Sequence, residues 1–216
     1  MKRKVFLIGE HSIFLEWMRI AINSEPDLTV CAVAFATSRA MKRINEMKPD
    51  VAIVDLPFLD KKDMEFVTGL KGECRELPVL AVSTHEELIY AERILLAGAD
   101  GYLTKYETAE TLKTAIRKLL DGNIYLGDKM VALLLSKLMR NRQAESTSFT
   151  LNKLSNREFD VFRLIGQGKM TRHISGELGV KKATINTFRF RIMDKLGFKN
   201  SDELVWHANR WVREHI

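Results

Sequence analysis

Up to about residue 121 the chain repeats one pattern five times, a short apolar run rich in β-branched residues followed by a segment whose apolar residues recur at helical spacing. The runs are 5–8, 28–34, 51–54, 79–82 and 101–104. Runs that are apolar throughout, rather than alternating, suit strands covered on both faces. Strands separated by helix-length segments pair in parallel through crossover connections. The pattern predicts an α/β domain over residues 1–121: a five-stranded parallel sheet with helices on both faces.

In an open parallel sheet, ligands and reactions gather at the carboxyl ends of the strands, beside the point where the strand order reverses. After the first run stand Gly9, Glu10 and His11; after the third, Asp55; after the fourth, Ser83 and Thr84; after the fifth, Thr104 and Lys105. Any one of these fits a strand end, which is polar in most proteins. Carboxylates, hydroxyls and an ammonium on four strand ends at one edge point to chemistry.

From residue 122 the pattern changes. Gly122 to Leu126 leads into an apolar helical stretch through Leu138, and residues 140–153 are polar, rich in Ser and Thr and without period. The stretch 122–153 therefore reads as a connecting helix and linker. Residues 154–216 are helical throughout, with helices expected near 155–166, 171–178, 182–196 and 202–214 and with Gly168 and Gly179 as breaks.

Charge follows the same division. The first 140 residues carry 20 Lys/Arg and 20 Asp/Glu, whereas the remainder carries 14 and 8, so the whole net charge of +6 sits in the last third. A small basic helical module suits a polyanion, because Lys and Arg at phosphates release condensed counterions.

Other classes find little support. Cys31 and Cys74 have neither C-x-x-C spacing nor a His cluster nearby and read as reduced thiols. The five histidines are scattered and read as surface or packing residues, and Trp206 and Trp211 as packing residues of the small domain. The apolar run after Met1-Lys2-Arg3-Lys4 is too short for a signal peptide, and no stretch approaches a membrane span, so a cytoplasmic protein is expected. With no Gly-rich phosphate loop, no nucleophile with a paired base and no metal-ligand spacing of His or Cys, the chain is not expected to be an enzyme.

The C-terminal residues carry a closer likeness. Leu154-Ser155-Asn156-Arg157-Glu158, Gly168, Ile174, Leu178-Gly179-Val180, Thr184-Ile185, Ile192-Met193 and Lys195-Leu196-Gly197-Phe198 follow the LuxR-type helix-turn-helix signature. Together with the α/β half, the whole chain resembles the response regulators of the NarL/FixJ class. The resemblance implies a two-component transcription regulator binding duplex DNA, with the helix from Lys182 entering the major groove.

On that helix Ile185, Phe188, Ile192 and Leu196 share one face and are expected to pack inward. The DNA-binding residues expected are Lys181, Lys182, Thr184, Asn186, Thr187, Arg189, Phe190 and Arg191. Asn suits an adenine edge, Arg a guanine or a phosphate, and Thr and Phe a thymine methyl. The family commonly has Lys at position 186, His at 188 and a capping Ser at 181. Lys181 removes that side-chain acceptor and adds charge near phosphate instead.

In the receiver half, the resemblance places Asp55 as phosphoacceptor, Ser83 and Tyr102 as switch residues and Lys105 as the invariant lysine within Gly101-Tyr102-Leu103-Thr104-Lys105. It also implies Mg²⁺, held here by Glu10 and Asp55. The acidic pair of the family is Gly9-Glu10 in this chain, one carboxylate short, which weakens the expected metal site. The segment Leu56 to Asp63 also departs from the family, although the Pro57 carbonyl remains a candidate for facing the metal.

Two modes of control follow. In the first, a sensor histidine kinase phosphorylates Asp55, the added charge draws Ser83 inward and lets Tyr102 repack, and the face of the fourth helix and fifth strand becomes a dimerisation or release surface. In the second, favoured by Gly9 and the Lys61-Lys62 substitution, the receiver is a phosphorylation-independent dimerisation or ligand-response module. A homodimer on two-fold-related half-sites is expected in either case.

Overall fold

The computed structural model describes residues 2–35, 37–56, 61–85, 88–140, 151 and 153–215. The chain divides into two compact units, 1–139 and 140–216.

The first unit runs β1 (Arg3–Ile8), α1 (Ser12–Asn23), β2 (Leu28–Ala34), α2 (Thr37–Met47), β3 (Val51–Asp55), α3 (Lys61–Glu73), β4 (Val79–Ser83), α4 (Leu88–Leu96), β5 (Gly101–Thr104), α5 (Ala109–Leu120), β6 (Tyr125–Leu126) and α6 (Asp128–Arg140). All strand pairs are parallel, in the order β2-β1-β3-β4-β5-β6. The chain leaves β1 toward β2 and returns on its other side to β3, so the switch point lies between β1 and β3.

The sheet has six strands where the sequence pattern gives five. The sixth, Tyr125–Leu126, pairs with Gly101 and Tyr102 of β5. Two residues make too short a run for a period-based reading to register, and they lie in the stretch from 122 that reads as the start of the connection.

Residues alternate across each strand. Val5, Leu7, Ile53, Leu80 and Leu103 join Leu15, Met18 and Ile22 of α1 and Leu112 and Ile116 of α5 in one core. The intervening Phe6, Ile8, Ala52, Val54 and Ala81 are equally buried, so both faces are covered. Each such side chain contributes about 1.5–3 kcal/mol of transfer free energy. The Arg117 guanidinium of α5 lies 2.6 Å from Glu25 and 2.8 Å from Asp27, which pins α5 to the turn between α1 and β2.

The second unit contains α7 (Asn156–Gly166), α8 (Thr171–Glu177), α9 (Lys182–Leu196) and α10 (Ser201–His215). A full capping box starts α7: Ser155 Oγ accepts from the Glu158 amide, and Glu158 Oε2 accepts from the Ser155 amide. Trp211 of α10 meets Phe159 edge-on at 5.1 Å between centroids and lies 6.3 Å from Phe162. The backbones of α7 and α10 approach closely at Gly166, where a Cβ would stand 2.3 Å from the Ala208 carbonyl oxygen. Most of the expected linker, 140–153, falls outside the described residues, while Leu151 and Leu154 are buried. Among the described residues no helix is long and apolar enough to cross a membrane.

Candidate functional site

At the switch point β3 ends in Asp55, whose side chain is wholly buried. Its two oxygens face different partners: Oδ1 is 2.6 Å from Lys105 Nζ, just beyond β5, and Oδ2 is 3.0 Å from His11 Nδ1, just beyond β1. Lys105 Nζ is also 3.4 Å from His11 Nδ1 and stands over the Phe14 ring at 4.6 Å. A buried carboxylate is costly unless paired and hydrogen-bonded, and here the ends of the two strands β1 and β5 supply the pairing.

Register sets the rest of the pocket. Ser83, the last residue of β4, lies opposite Thr104 of β5 and is fully buried. Its Oγ accepts from the His85 amide at 3.4 Å, and the fully buried Tyr102 donates its hydroxyl to the His85 carbonyl at 2.6 Å. The structure thus brings Asp55 and Lys105 into contact, sets Ser83 on the adjoining strand end, and holds Tyr102 in its inward position.

The metal expectation meets a different arrangement. Receiver domains generally hold Mg²⁺ at their acidic phosphorylation site. Here Glu10 is exposed, and Gly9 has neither a side chain nor room for one, since a Cβ there would stand 2.6 Å from Asp55 Cβ. Both Asp55 oxygens already face nitrogen, and among the described residues no three His, Cys, Asp or Glu side chains gather. Glu10 and Asp55 as placed do not make the octahedral oxygen cage that Mg²⁺ demands. The Pro57 carbonyl lies outside the described residues.

His11 corrects the sequence reading, which treated it as a surface or packing residue. Half its side chain is exposed, yet its Nδ1 meets the buried carboxylate. The signal was present in its position beyond β1, at the same sheet edge as Asp55.

The second unit presents another surface. On α9, Ile185 and Ile192 are fully buried and Phe188 and Leu196 half-buried, as their spacing predicts. Lys181, Lys182, Asn186, Thr187, Phe190 and Arg191 are exposed on the opposite side, Phe190 to 69%. Thr187 Oγ1 donates to the Ala183 carbonyl at 3.1 Å, so its hydroxyl is engaged with its own helix.

Two of the expected DNA-binding residues stand apart. Thr184 is half-buried, and Arg189 donates to Ser201 Oγ at the start of α10. Lys181 occupies the N-cap in extended backbone without a side-chain cap, as expected. Behind the helix, Lys195 Nζ reaches Glu158 Oε2 at 2.6 Å and ties the end of α9 to the start of α7. Burial disfavours the charged Glu158, but hydrogen bonds from Lys195 and Ser155 outweigh it and hold the carboxyl below its ordinary range.

Turn geometry positions this helix. Gly179 takes φ +64° after α8, the Val180 amide donates to the Ser175 carbonyl at 3.1 Å, and Ser175 Oγ donates back to the Val180 carbonyl at 2.6 Å. That turn joins α8 to α9 in helix-turn-helix order.

A doubly wound domain with a buried carboxylate at its switch point, joined to a helix-turn-helix unit, has clear relatives. The family model of the response regulator receiver domain matches residues 5–117, and that of the bacterial regulatory proteins of the luxR family matches residues 152–208. The chain belongs to the response regulators, in the NarL/FixJ class that joins a receiver to a LuxR-type helix-turn-helix. It is 28% identical to the oxygen regulatory protein NreC of Staphylococcus aureus over 95% of this chain and 96% of that one. The RcsB response regulator of Salmonella typhimurium shares its fold at 19% identity and TM-score 0.60, covering 97% of this chain and all of the other. RcsB has also been solved in complex with DNA, at TM-score 0.57 to this chain. The response regulator ChrA of a heme-sensing two-component system is 26% identical with TM-score 0.52, over 97% and 98% of the two chains.

Proposed function

We propose that this chain is a transcription regulator that binds duplex DNA through α9 as a homodimer, in the cytoplasm, and that its control runs through Asp55. The exposed row of Lys181, Lys182, Asn186, Thr187, Phe190 and Arg191 on a helix held from behind by buried Ile185 and Ile192 carries the reading. The row combines phosphate-neutralising cations with an amide for base edges and an aromatic and a methyl for thymine. The RcsB–DNA complex supports the same use of the fold. Thr184 and Arg189 are proposed to serve the rim of the contact, Arg189 after leaving Ser201.

Gel shifts against genomic fragments at two salt concentrations test the reading. The double variant Lys182→Ala/Arg191→Ala is expected to bind more weakly and to flatten the dependence of log K on log salt by about 2, one unit per phosphate contact. Unchanged binding would remove α9 from the interface.

For the receiver, Asp55 is proposed as the acceptor of a phosphoryl group from a sensor histidine kinase, with Lys105 and Ser83 against the phosphoryl oxygens. Tyr102 already has the inward position that phosphorylation is expected to favour. The Mg²⁺ that receivers generally use is left out of the proposal, because Glu10 is the one acid beyond β1 and is exposed.

A second reading is favoured by the contacts at Asp55: with both oxygens facing His11 and Lys105, the receiver works as a phosphorylation-independent dimerisation module. Intact mass after incubation with acetyl phosphate and Mg²⁺, on wild type and Asp55→Ala, separates the two. An adduct on wild type alone supports phosphorylation; no adduct with DNA binding intact supports the module.

A further inference from the structure

The acidic pair that the family carries beyond β1 is Gly9-Glu10 here, and neither residue reaches Asp55 with a carboxylate: Gly9 has no side chain and Glu10 is exposed. The side chain that does turn from β1 to Asp55 is that of His11, with Nδ1 3.0 Å from Oδ2. His11 is the N-cap of α1, a position whose side chain commonly accepts from the first amides of the helix, yet it makes no such bond. Its carbonyl accepts from the Leu15 amide at 3.0 Å, so the start of α1 fixes the backbone while the ring is spent on Asp55. An ionised carboxylate only accepts, so Nδ1 carries a proton in this contact, whether the ring is neutral or charged. Lys105 Nζ, 3.4 Å from the same Nδ1, is likewise a donor, and both nitrogens serve the carboxylate rather than each other.

We propose that this receiver accepts a phosphoryl group without Mg²⁺, with His11 supplying the hold on the acceptor carboxylate in place of a metal. The inference rests on the reading of Asp55 as phosphoacceptor and deepens it. The two oxygens of Asp55 divide the work. Oδ2 is held by His11 from the β1 side, and Oδ1 faces Lys105 at 2.6 Å from the β5 side. Oδ1 is in ion-pair range there but accepts no well-directed hydrogen bond among the described residues, which leaves a lone pair for phosphorus. In the transfer Oδ1 attacks phosphorus, and the bond from phosphorus to the donor's leaving atom breaks. The electron pair leaves with the acetate oxygen of acetyl phosphate, or with the imidazole nitrogen of a kinase phosphohistidine, which takes up a proton. Oδ2 remains as the carbonyl oxygen of the acyl phosphate and keeps its bond from His11. Lys105 and the buried Ser83 are left for the phosphoryl oxygens.

Charge favours the same conclusion. Lys105 already balances the one buried carboxylate of the pocket. A Mg²⁺ against Oδ2 would displace the His11 ring and set two more positive charges near that ammonium, with only the exposed Glu10 to offset them. Lys105 is not free to withdraw, since it also stands over the Phe14 ring at 4.6 Å. A hydrogen-bond donor holds the carboxylate without the near-octahedral oxygen shell that Mg²⁺ demands.

The test is the rate of the intact-mass adduct with acetyl phosphate on the full chain, in excess EDTA and in Mg²⁺, with circular dichroism to check each fold. Wild type is expected to be labelled at the same rate in both. In EDTA, His11→Ala is expected to be slower by about tenfold or more, and His11→Asn, whose amide places a donor near Nδ1, to recover most of the rate. An adduct on wild type in Mg²⁺ alone overturns the proposal and leaves Asp55 standing as phosphoacceptor. His11→Ala labelled as fast as wild type in EDTA, or a folded His11→Asn no faster than His11→Ala, also overturns it. No adduct on wild type in either condition removes the phosphoacceptor reading, and the proposal with it.

Discussion

Gly9 and Asp55 are fitted to each other: a Cβ built on Gly9 stands 2.6 Å from Asp55 Cβ and 3.3 Å from its Oδ2. The missing side chain at position 9 is therefore part of how β1 and β3 pack, not simply a lost ligand. A methyl group there must displace strand or carboxylate, and neither is the loose end of a flexible side chain. Gly9→Ala is expected to destabilise the first unit by about 1–3 kcal/mol, the usual cost of overpacking. Gly9→Asp, which restores the acid of the family, is expected to destabilise at least as much. Urea titration of both variants checks this, and a Gly9→Asp chain as stable as wild type would show that β1 yields freely at this point.

The partners of Asp55 differ in how far water can replace them. Lys105 is 13% exposed at its side chain and His11 53%. Removing Lys105 strips a buried carboxylate of its least hydrated partner, and Lys105→Met is expected to cost about 3–5 kcal/mol. His11→Ala is expected to cost less, about 1–3 kcal/mol, since solvent reaches its place. Adding Asp55→Asn to Lys105→Met removes the stranded charge and is expected to recover part of the loss, in a double-mutant cycle followed by urea unfolding. Equal losses for the two single variants would contradict this ranking.

How much of this site was legible in the sequence depends on what each contact needs. Asp55, Ser83 and Lys105 could be assigned to one edge because strand ends in a parallel sheet share it, and the strand runs were read within a few residues. The helices of the second unit followed from period and from the glycine breaks at Gly168 and Gly179, both at positive φ. His11 stands at the same edge in the sequence, but its contact with Asp55 depends on a side-chain direction across two strands, which no local pattern encodes. Likewise Arg189 shares the basic composition of α9 but spends its guanidinium on Ser201.

The Glu158–Lys195 pair gives the second unit a dependence on pH whose sign is fixed. Glu158 has its carboxyl held below the ordinary range in the fold, so the unfolded chain takes up the proton first as pH falls. The stabilisation is complete above the unfolded value of about 4.3 and is lost as pH drops through the lower folded value. Glu158→Gln is expected to be less stable than wild type at neutral pH and to converge with it in acid. Thermal melts of both chains from pH 7 down to pH 3 check this, and a gap that persists undiminished at the acid end would assign the effect to packing instead of charge.

Lys181 sets helix stability against affinity at one position. It caps α9 with extended backbone but offers no side-chain acceptor, leaving the first amides of the helix without that partner. Lys181→Ser supplies an acceptor and is expected to stabilise the second unit by about 0.5–2 kcal/mol. The same change removes a cation from the row proposed to face phosphate, so binding is expected to weaken across all sequences alike, with the salt slope falling by about 1. The two effects have opposite signs and separate readouts, a melting curve and a salt titration of DNA affinity. A variant that gains stability and keeps the full salt slope would place Lys181 off the phosphate backbone. A variant that loses affinity for some sequences only would make it a reader of bases. If both expectations hold, the basic N-cap is a concession of helix stability to phosphate contact at the end of the helix nearest the DNA.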